Sequence, residues 1–288
     1  MRLLFSRFDV AGTRVKPLAC MDCDNRASSI ADIEERVMGR LTGKAAIVTG
    51  AGQGAGAGCA LAMASEGASI LLVGRTLSKL ESVAKEIEAR GAKAVPFSAD
   101  ITDRAALRAI VDKAVEAFGR IDALVNAAQA PEMRSARLLD IDDDVVQELW
   151  TSGPVATLAL MRFCHPHMKA AGGGSIINFA SGALRVPADY GVYAGCKAAI
   201  ETIGRAASVE WGPDNIRVNT VVPFVLSPAM DLDMPADVQE RVAAKLPLRR
   251  LGRPEEDIGR TVAFLASEDS AYMTGNLVTL DGGSWSQK

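Results

Sequence analysis

The stretch DYGVYAGCKAA, Asp189 to Ala199, places two phenols ahead of one amine: Tyr190 stands seven positions and Tyr193 four positions before Lys197. A free tyrosine has a pKa of roughly 10 and is a poor base near neutrality, so a phenol that exchanges protons needs a cation beside it. Lys197 can be that cation. One helical turn separates it from Tyr193, which sets the two side chains on one helix face. Which phenol works, if either does, depends on what surrounds the stretch.

The elements around it repeat one pattern. AAIVT (45–49), SILLVG (69–74), AVPFSA (94–99), DALVNA (122–127), SIINFA (175–180), RVNTVV (217–222) and LVTL (277–280) are short and apolar on both faces, as strands of a helix-covered parallel sheet are. Between them LSKLESVAKEIEARG, DRAALRAIVDKAVEAFG and PEEDIGRTVAFLAS carry apolar residues at three- and four-residue spacing and stop at or near Gly or Ser. This predicts an α/β fold: one Rossmann-type, doubly wound, parallel seven-stranded sheet. Regular structure starts abruptly at KAAIVTG, so residues 1–40 read as a flexible extension or an upstream start assignment before a domain spanning 41–288. Only SIADIEERV within the extension suggests a short turn.

TGAGQGAGAG follows the first strand and opens a helix, with Thr49, Gly50, Gly54 and Gly56 spaced T-G-x3-G-x-G. Glycines there let the backbone approach a pyrophosphate, and the helix N-terminus offers free N–H groups and a positive dipole end. The second strand ends VGRT. Gly74 stands where an acid would bind a ribose 2′-hydroxyl, and Arg75 after it can accept a 2′-phosphate, which favours NADP over NAD.

Bulk properties exclude several classes. A net charge of -3 provides no basic field for nucleic acid, and no apolar run approaches the length of a bilayer span. Arg2, Arg7 and Arg14 hint at a transit peptide, but Asp9, Asp22 and Asp24 oppose it. Five scattered cysteines argue for a reducing compartment, so a cytoplasmic, soluble protein is expected. Cys20 and Cys23 form a CxxC with no second half of a metal site. His165 and His167, flanking Pro166, read as surface or helix-end residues, and no metal is expected.

Together with YAGCK, these motifs resemble the short-chain dehydrogenase/reductase family over about residues 41–285. Asp100 and Ile101, LVNAAQ, Ser181, IRVNTVVP and LVTLDGG match in order. The resemblance implies an NAD(P)-dependent oxidoreductase that moves a hydride between the nicotinamide and a ketone or secondary alcohol. It implies Tyr193 as proton donor and acceptor, Lys197 as its cation and Ser181 as the group that orients the substrate oxygen. Cofactor contacts are expected at Gly50, Gln53, Gly54, Ala55, Gly56, Arg75, Thr76, Asp100, Ile101, Asn126, Ala128, Pro223 and Leu226, besides Tyr193 and Lys197. Gln129, Tyr190 and Phe224 are expected in the substrate pocket.

The alternatives are a low-turnover NADP-binding or redox-sensing protein and an enoyl reductase using Tyr190. Relatives bury the helices around TLALMRFCHPHM and AAIETIGRAASVEW against partner subunits, which implies a homotetramer, with a dimer as alternative. Residues from about Phe224 to Leu246 read as a partly helical lid.

Three sites depart from the family pattern. The N-N-A-G motif becomes Asn126, Ala127, Ala128 and Gln129, and Phe224 follows Pro223 where a glycine is usual. The position of the family's fourth catalytic residue, an Asn, holds Gly153, followed by Pro154. Because Pro154 has no N–H, the carbonyl of Trp150 should lose its usual partner, and Gly153 leaves room that a water could fill.

Overall fold

The computed structural model describes residues 39–129, 136–225 and 235–286; the extension up to residue 38, including Cys20, Cys23 and SIADIEERV, lies outside them. Seven parallel strands form one sheet: β1 (Ala45–Thr49), β2 (Ser69–Gly74), β3 (Ala94–Ser98), β4 (Ala123–Asn126), β5 (Gly174–Phe179), β6 (Ile216–Pro223) and β7 (Leu277–Leu280). Their order is β3-β2-β1-β4-β5-β6-β7. The order reverses at β1, which pairs with β2 through Thr49↔Val73 and with β4 through Thr49↔Asn126. Open sheets of this kind bind ligands beyond the carboxyl ends of the strands at that reversal.

The helices are α1 (Gly54–Ser65), α2 (Leu77–Ala89), α3 (Arg104–Phe118), α4 (Asp143–Trp150), α5 (Ala156–Ala170), α6 (Gly191–Glu210), α7 (Ala236–Lys245) and α8 (Arg260–Ala266). Alternation along β1 divides the core in two. Ala46 and Val48 join α1, α2 and α8 on one face of the sheet. Ile47, with Leu71 and Val73, joins Leu107 and Ile110 of α3 and Leu160 and Met161 of α5 on the other. Each fully buried Leu or Ile contributes ~1.5–3 kcal/mol relative to exposure.

The strands are those the sequence pattern predicts, with ends shifted by a residue. The two-sided burial holds for β1, β4 and β5 but not for β3 and β7, which are half-exposed because each is an edge. Pro96 can sit in β3 because an edge strand has one unpaired side. PEEDIGRTVAFLAS divides into a π segment, Pro254–Gly259, and α8. Apolar spacing cannot register one extra residue per turn.

Candidate active site

The first βα turn builds the floor of a cleft of about 840 Å³. Gly50 adopts φ 69° and Gly54 φ 57°, left-handed values that turn the chain sharply into α1. At Gly56 a Cβ would lie 2.2 Å from the carbonyl oxygen of Gly50, so only glycine fits. Gln53 caps α1 without a side-chain hydrogen bond, and the first turn of α1 carries no acid. Free N–H groups and the dipole end therefore face the cleft, which suits a pyrophosphate. The residues present fit a dinucleotide.

Gly50, Gln53, Gly54, Ala55, Gly56, Arg75, Thr76, Asp100, Ile101 and Ala128 line this cleft, and so does Gln129, which the sequence placed in the substrate pocket. Asp100 turns its carboxylate into its own loop, accepting from the N–H and hydroxyl of Thr102 at 2.8 Å each. These bonds hold its pKa below the usual carboxylate value against the opposing effect of burial, and Arg75 lowers it further. Lys79, which the motif reading passed over, also lines the cleft and donates to Gln53 Oε1 at 2.5 Å. It sits one turn into α2, where a lysine reads as an ordinary exposed helix residue. Asn126 faces inward: its amide donates to Asn178 Oδ1 at 2.9 Å and ties β4 to β5. Leu226 lies outside the described residues.

The loop after β4 is fixed by Thr49. Its buried hydroxyl donates to the Val125 carbonyl at 3.2 Å and accepts from the N–H groups of Ala127 and Ala128 at 3.1 Å each. The motif's threonine thus positions the segment that ends in Gln129.

At the carboxyl ends of β4 and β5 the chemical groups gather. Ser181 follows β5 and caps a short 3-10 turn, accepting from Ala183 N at 3.2 Å. The Tyr193 hydroxyl faces Ser181. Burial pushes the Tyr193 phenol up, while Ser181 opposes that shift. Lys197, one turn along α6, is buried and donates to the Phe179 carbonyl at 2.9 Å; its Nζ stands 5.6 Å from the centre of the Tyr193 ring. Burial lowers its pKa to about 8, with a small opposing effect from Cys196. Tyr190 stands outside the helix as its N-cap, because Asp189 before it takes φ 63° and its carbonyl accepts from Ala136 N at 2.8 Å. Pro223 ends β6, and Phe224 N donates to the Leu280 carbonyl at 2.9 Å.

Between α4 and α5 the helix widens into a π turn, Thr151–Val155, where Ala156 N reaches back five residues to the Thr151 carbonyl. Pro154 lies inside it, so the Trp150 carbonyl loses the donor of a regular helix. The room expected at Gly153 does not stand open for a water. A Cβ there would lie 3.1 Å from Gln129 Nε2 and 3.6 Å from Cys196 Cβ, so the Gln129 carboxamide already occupies the place. Residues far apart in sequence exchange a side chain for a hydrogen here, a pairing no local pattern signals.

A family model described as enoyl-(acyl carrier protein) reductase matches residues 50–284. A 12α-hydroxysteroid dehydrogenase of Clostridium sp. is 38% identical over 259 residues, covering 85% of this chain and 98% of its own. The chain belongs to the short-chain dehydrogenase/reductase family. A 3-oxoacyl-[acyl-carrier-protein] reductase of Thermotoga maritima is 33% identical over 247 residues, covering 85% of this chain and 98% of its own. Among solved structures, a 7α-hydroxysteroid dehydrogenase complexed with NADH and 7-oxo glycochenodeoxycholic acid superposes with TM-score 0.80 at 30% identity, covering 85% of this chain and 95% of that one. As a short-chain dehydrogenase/reductase, the protein is an NAD(P)-dependent oxidoreductase acting on small molecules. Among the described residues no helix is long and apolar enough to cross a membrane.

Proposed function

We propose that this short-chain dehydrogenase/reductase prefers NADP and interconverts a ketone with a secondary alcohol, using Tyr193 as general acid and base. The observation that carries the reading is the buried Lys197, moored to the Phe179 carbonyl with its Nζ 5.6 Å from the centre of the Tyr193 ring, at the same carboxyl end of the sheet as the nucleotide-sized cleft. The nicotinamide, when bound, supplies or accepts the hydride at the carbonyl carbon. In reduction the Tyr193 hydroxyl gives its proton to the substrate oxygen, and Ser181 holds that oxygen by a second hydrogen bond. Burial keeps the Tyr193 phenol protonated but makes it a weaker acid, so proton release needs a cation to stabilise the phenolate. In oxidation the phenolate must form, and Lys197 is the cation that favours it. With a pKa near 8, Lys197 is mostly charged at neutral pH.

Gly74, Arg75 and Lys79 support the NADP preference: position 74 carries no acid, and two cations line the cleft close to it in sequence. Relatives named for hydroxysteroids make apolar, ring-borne secondary alcohols the first substrate class to test. Exposed Trp150 and Val155 beside α5, and Val209 on α6, support a homotetramer. The buried thiols Cys59, Cys164 and Cys196 suit a cytoplasmic enzyme. The extension is proposed to end before residue 39 and not at 40, because Arg40 pairs with Glu66 of the domain at 2.5 Å.

Oxidation of NADPH against a panel of oxo-steroids and cyclic ketones, with product analysis, tests the reading. Appearance of alcohols supports it. Turnover of enoyl thioesters to saturated products alone would favour Tyr190, the second reading that the family model's description motivates.

A further inference from the structure

The carboxamide of Gln129 is the outstanding unsatisfied group among the described residues: both Oε1 and Nε2 are buried and neither has a hydrogen-bond partner. A buried amide left unpaired costs ~1–3 kcal/mol, so both of its atoms call for a partner, for which an ordered water is one candidate. Its position indicates which. It lies against Gly153 in the π turn, where a Cβ would also come 3.6 Å from Cβ of Cys196, the residue before Lys197. Gln129 also lines the cleft together with Thr151 and Ser152 of the π turn, so that wall is reached from the ligand side. Lys197 is an ammonium with three protons whose one hydrogen bond among the described residues goes to the Phe179 carbonyl. Tyr193 and Cys196 are the titratable side chains that face it.

We propose that Gln129 is a positioning residue for proton transfer: its carboxamide, reaching across to the π turn at Gly153, holds a water that links the Lys197 ammonium to solvent. The inference rests on the reading of Tyr193 and Lys197 as the proton-exchanging pair. During reduction Tyr193 loses one proton to the substrate oxygen. Lys197 returns one to the phenolate, and the neutral amine takes one from the held water, which is re-protonated from bulk. One proton leaves solution for each alcohol formed, so charge and atoms balance. An amide suits the task because it offers an acceptor and two donors and does not titrate.

The geometry also implies an exchange between two positions. A side chain at 153 and the amide of Gln129 compete for one space, since a Cβ there would come 3.1 Å from Nε2. An amide grown from 153 can serve only when the amide at 129 is removed.

The variants Gln129→Leu, Gln129→Gly, Gly153→Asn and the double variant Gln129→Gly/Gly153→Asn test this on the full chain. Gln129→Leu, of similar volume, should lower kcat at least tenfold, leave KM and the NADPH Kd within twofold, and enlarge the solvent deuterium isotope effect. Gly153→Asn alone should lower both kcat and the melting temperature, and the double variant should recover most of both. Independently of turnover, the lysine Cε resonance of cofactor-free protein should give Lys197 a lower pKa in Gln129→Leu, because a water-bridged ammonium has lost its support. Wild-type kcat and isotope effect in Gln129→Leu, an unchanged Lys197 titration, or a double variant no better than the sum of its parts would each overturn the proposal. A wild type inactive on every ketone, with Lys197 still responding to Gln129→Leu, would count against the ketone reading and leave the Gln129–Lys197 link supported.

Discussion

Lys197 Nζ donates to the carbonyl oxygen of Phe179 at 2.9 Å, so the buried amine of α6 is moored to the last residue of β5. One neutral acceptor does not restore what water gave the ammonium, and the pKa falls from 10.5 to about 8. The unfolded chain therefore binds this proton more tightly than the folded one. The cost to stability is fully present below pH 8, and it is relieved as pH rises from about 8 to 10.5. Denaturant unfolding of cofactor-free wild type and Lys197→Met should show the stability difference moving in favour of the wild type across that window. A difference that stays flat there would contradict the burial argument.

The two phenols should separate cleanly under mutation. Tyr193→Phe is expected to lower kcat by at least a thousandfold while cofactor affinity stays within about twofold, since the ring remains and only the proton is lost. Tyr190→Phe, at the N-cap of α6 and outside the Tyr193–Lys197 face, should alter mainly KM. Steady-state kinetics on one ketone suffices, and a dead Tyr190→Phe beside a working Tyr193→Phe would reverse the assignment.

Cofactor preference should depend on two cations. Arg75→Ala is expected to weaken NADPH binding roughly tenfold, ~1.4 kcal/mol, with little change for NADH. Lys79→Ala should add a smaller loss, because its amine is partly engaged by Gln53. Fluorescence titration with both reduced cofactors decides the matter. Equal or tighter NADH binding by the wild type would refute the NADP preference.

Glycine at 56 should be irreplaceable for nucleotide binding. Gly56→Ala places a methyl group 2.2 Å from the Gly50 carbonyl oxygen, so the turn must open. Loss of measurable NADPH binding with a lowered melting temperature is the expected result. An alanine variant that binds normally would mean that the turn relaxes at no cost.

Light scattering at micromolar concentration should report a homotetramer. Val155 is 54% and Val209 78% exposed, and replacing both by Asp should yield smaller species. A wild-type monomer would leave these apolar residues unexplained by self-association.

The sequence alone determined what depends on short-range pattern. Strand positions follow from runs of apolar residues, and T-G-x3-G-x-G at the first βα turn follows from backbone sterics confined to a few residues. The one-turn spacing of Tyr193 and Lys197 follows from helix geometry. Tertiary structure decided what depends on burial and on contacts between elements. Tyr190 is excluded from α6 by the left-handed Asp189, held by a hydrogen bond from Ala136. Lys79 reaches Gln53 only because α2 packs beside the glycine turn. The Lys197 pKa is set by how completely the sheet and helices remove water from an amine that in sequence is one lysine among many. The missing side chain at Gly153 looks like a loss in the linear sequence. In space it is the gap that Gln129 fills, because a hydrogen on one element and an amide on another become neighbours only when the β4 loop and the π turn are folded against each other.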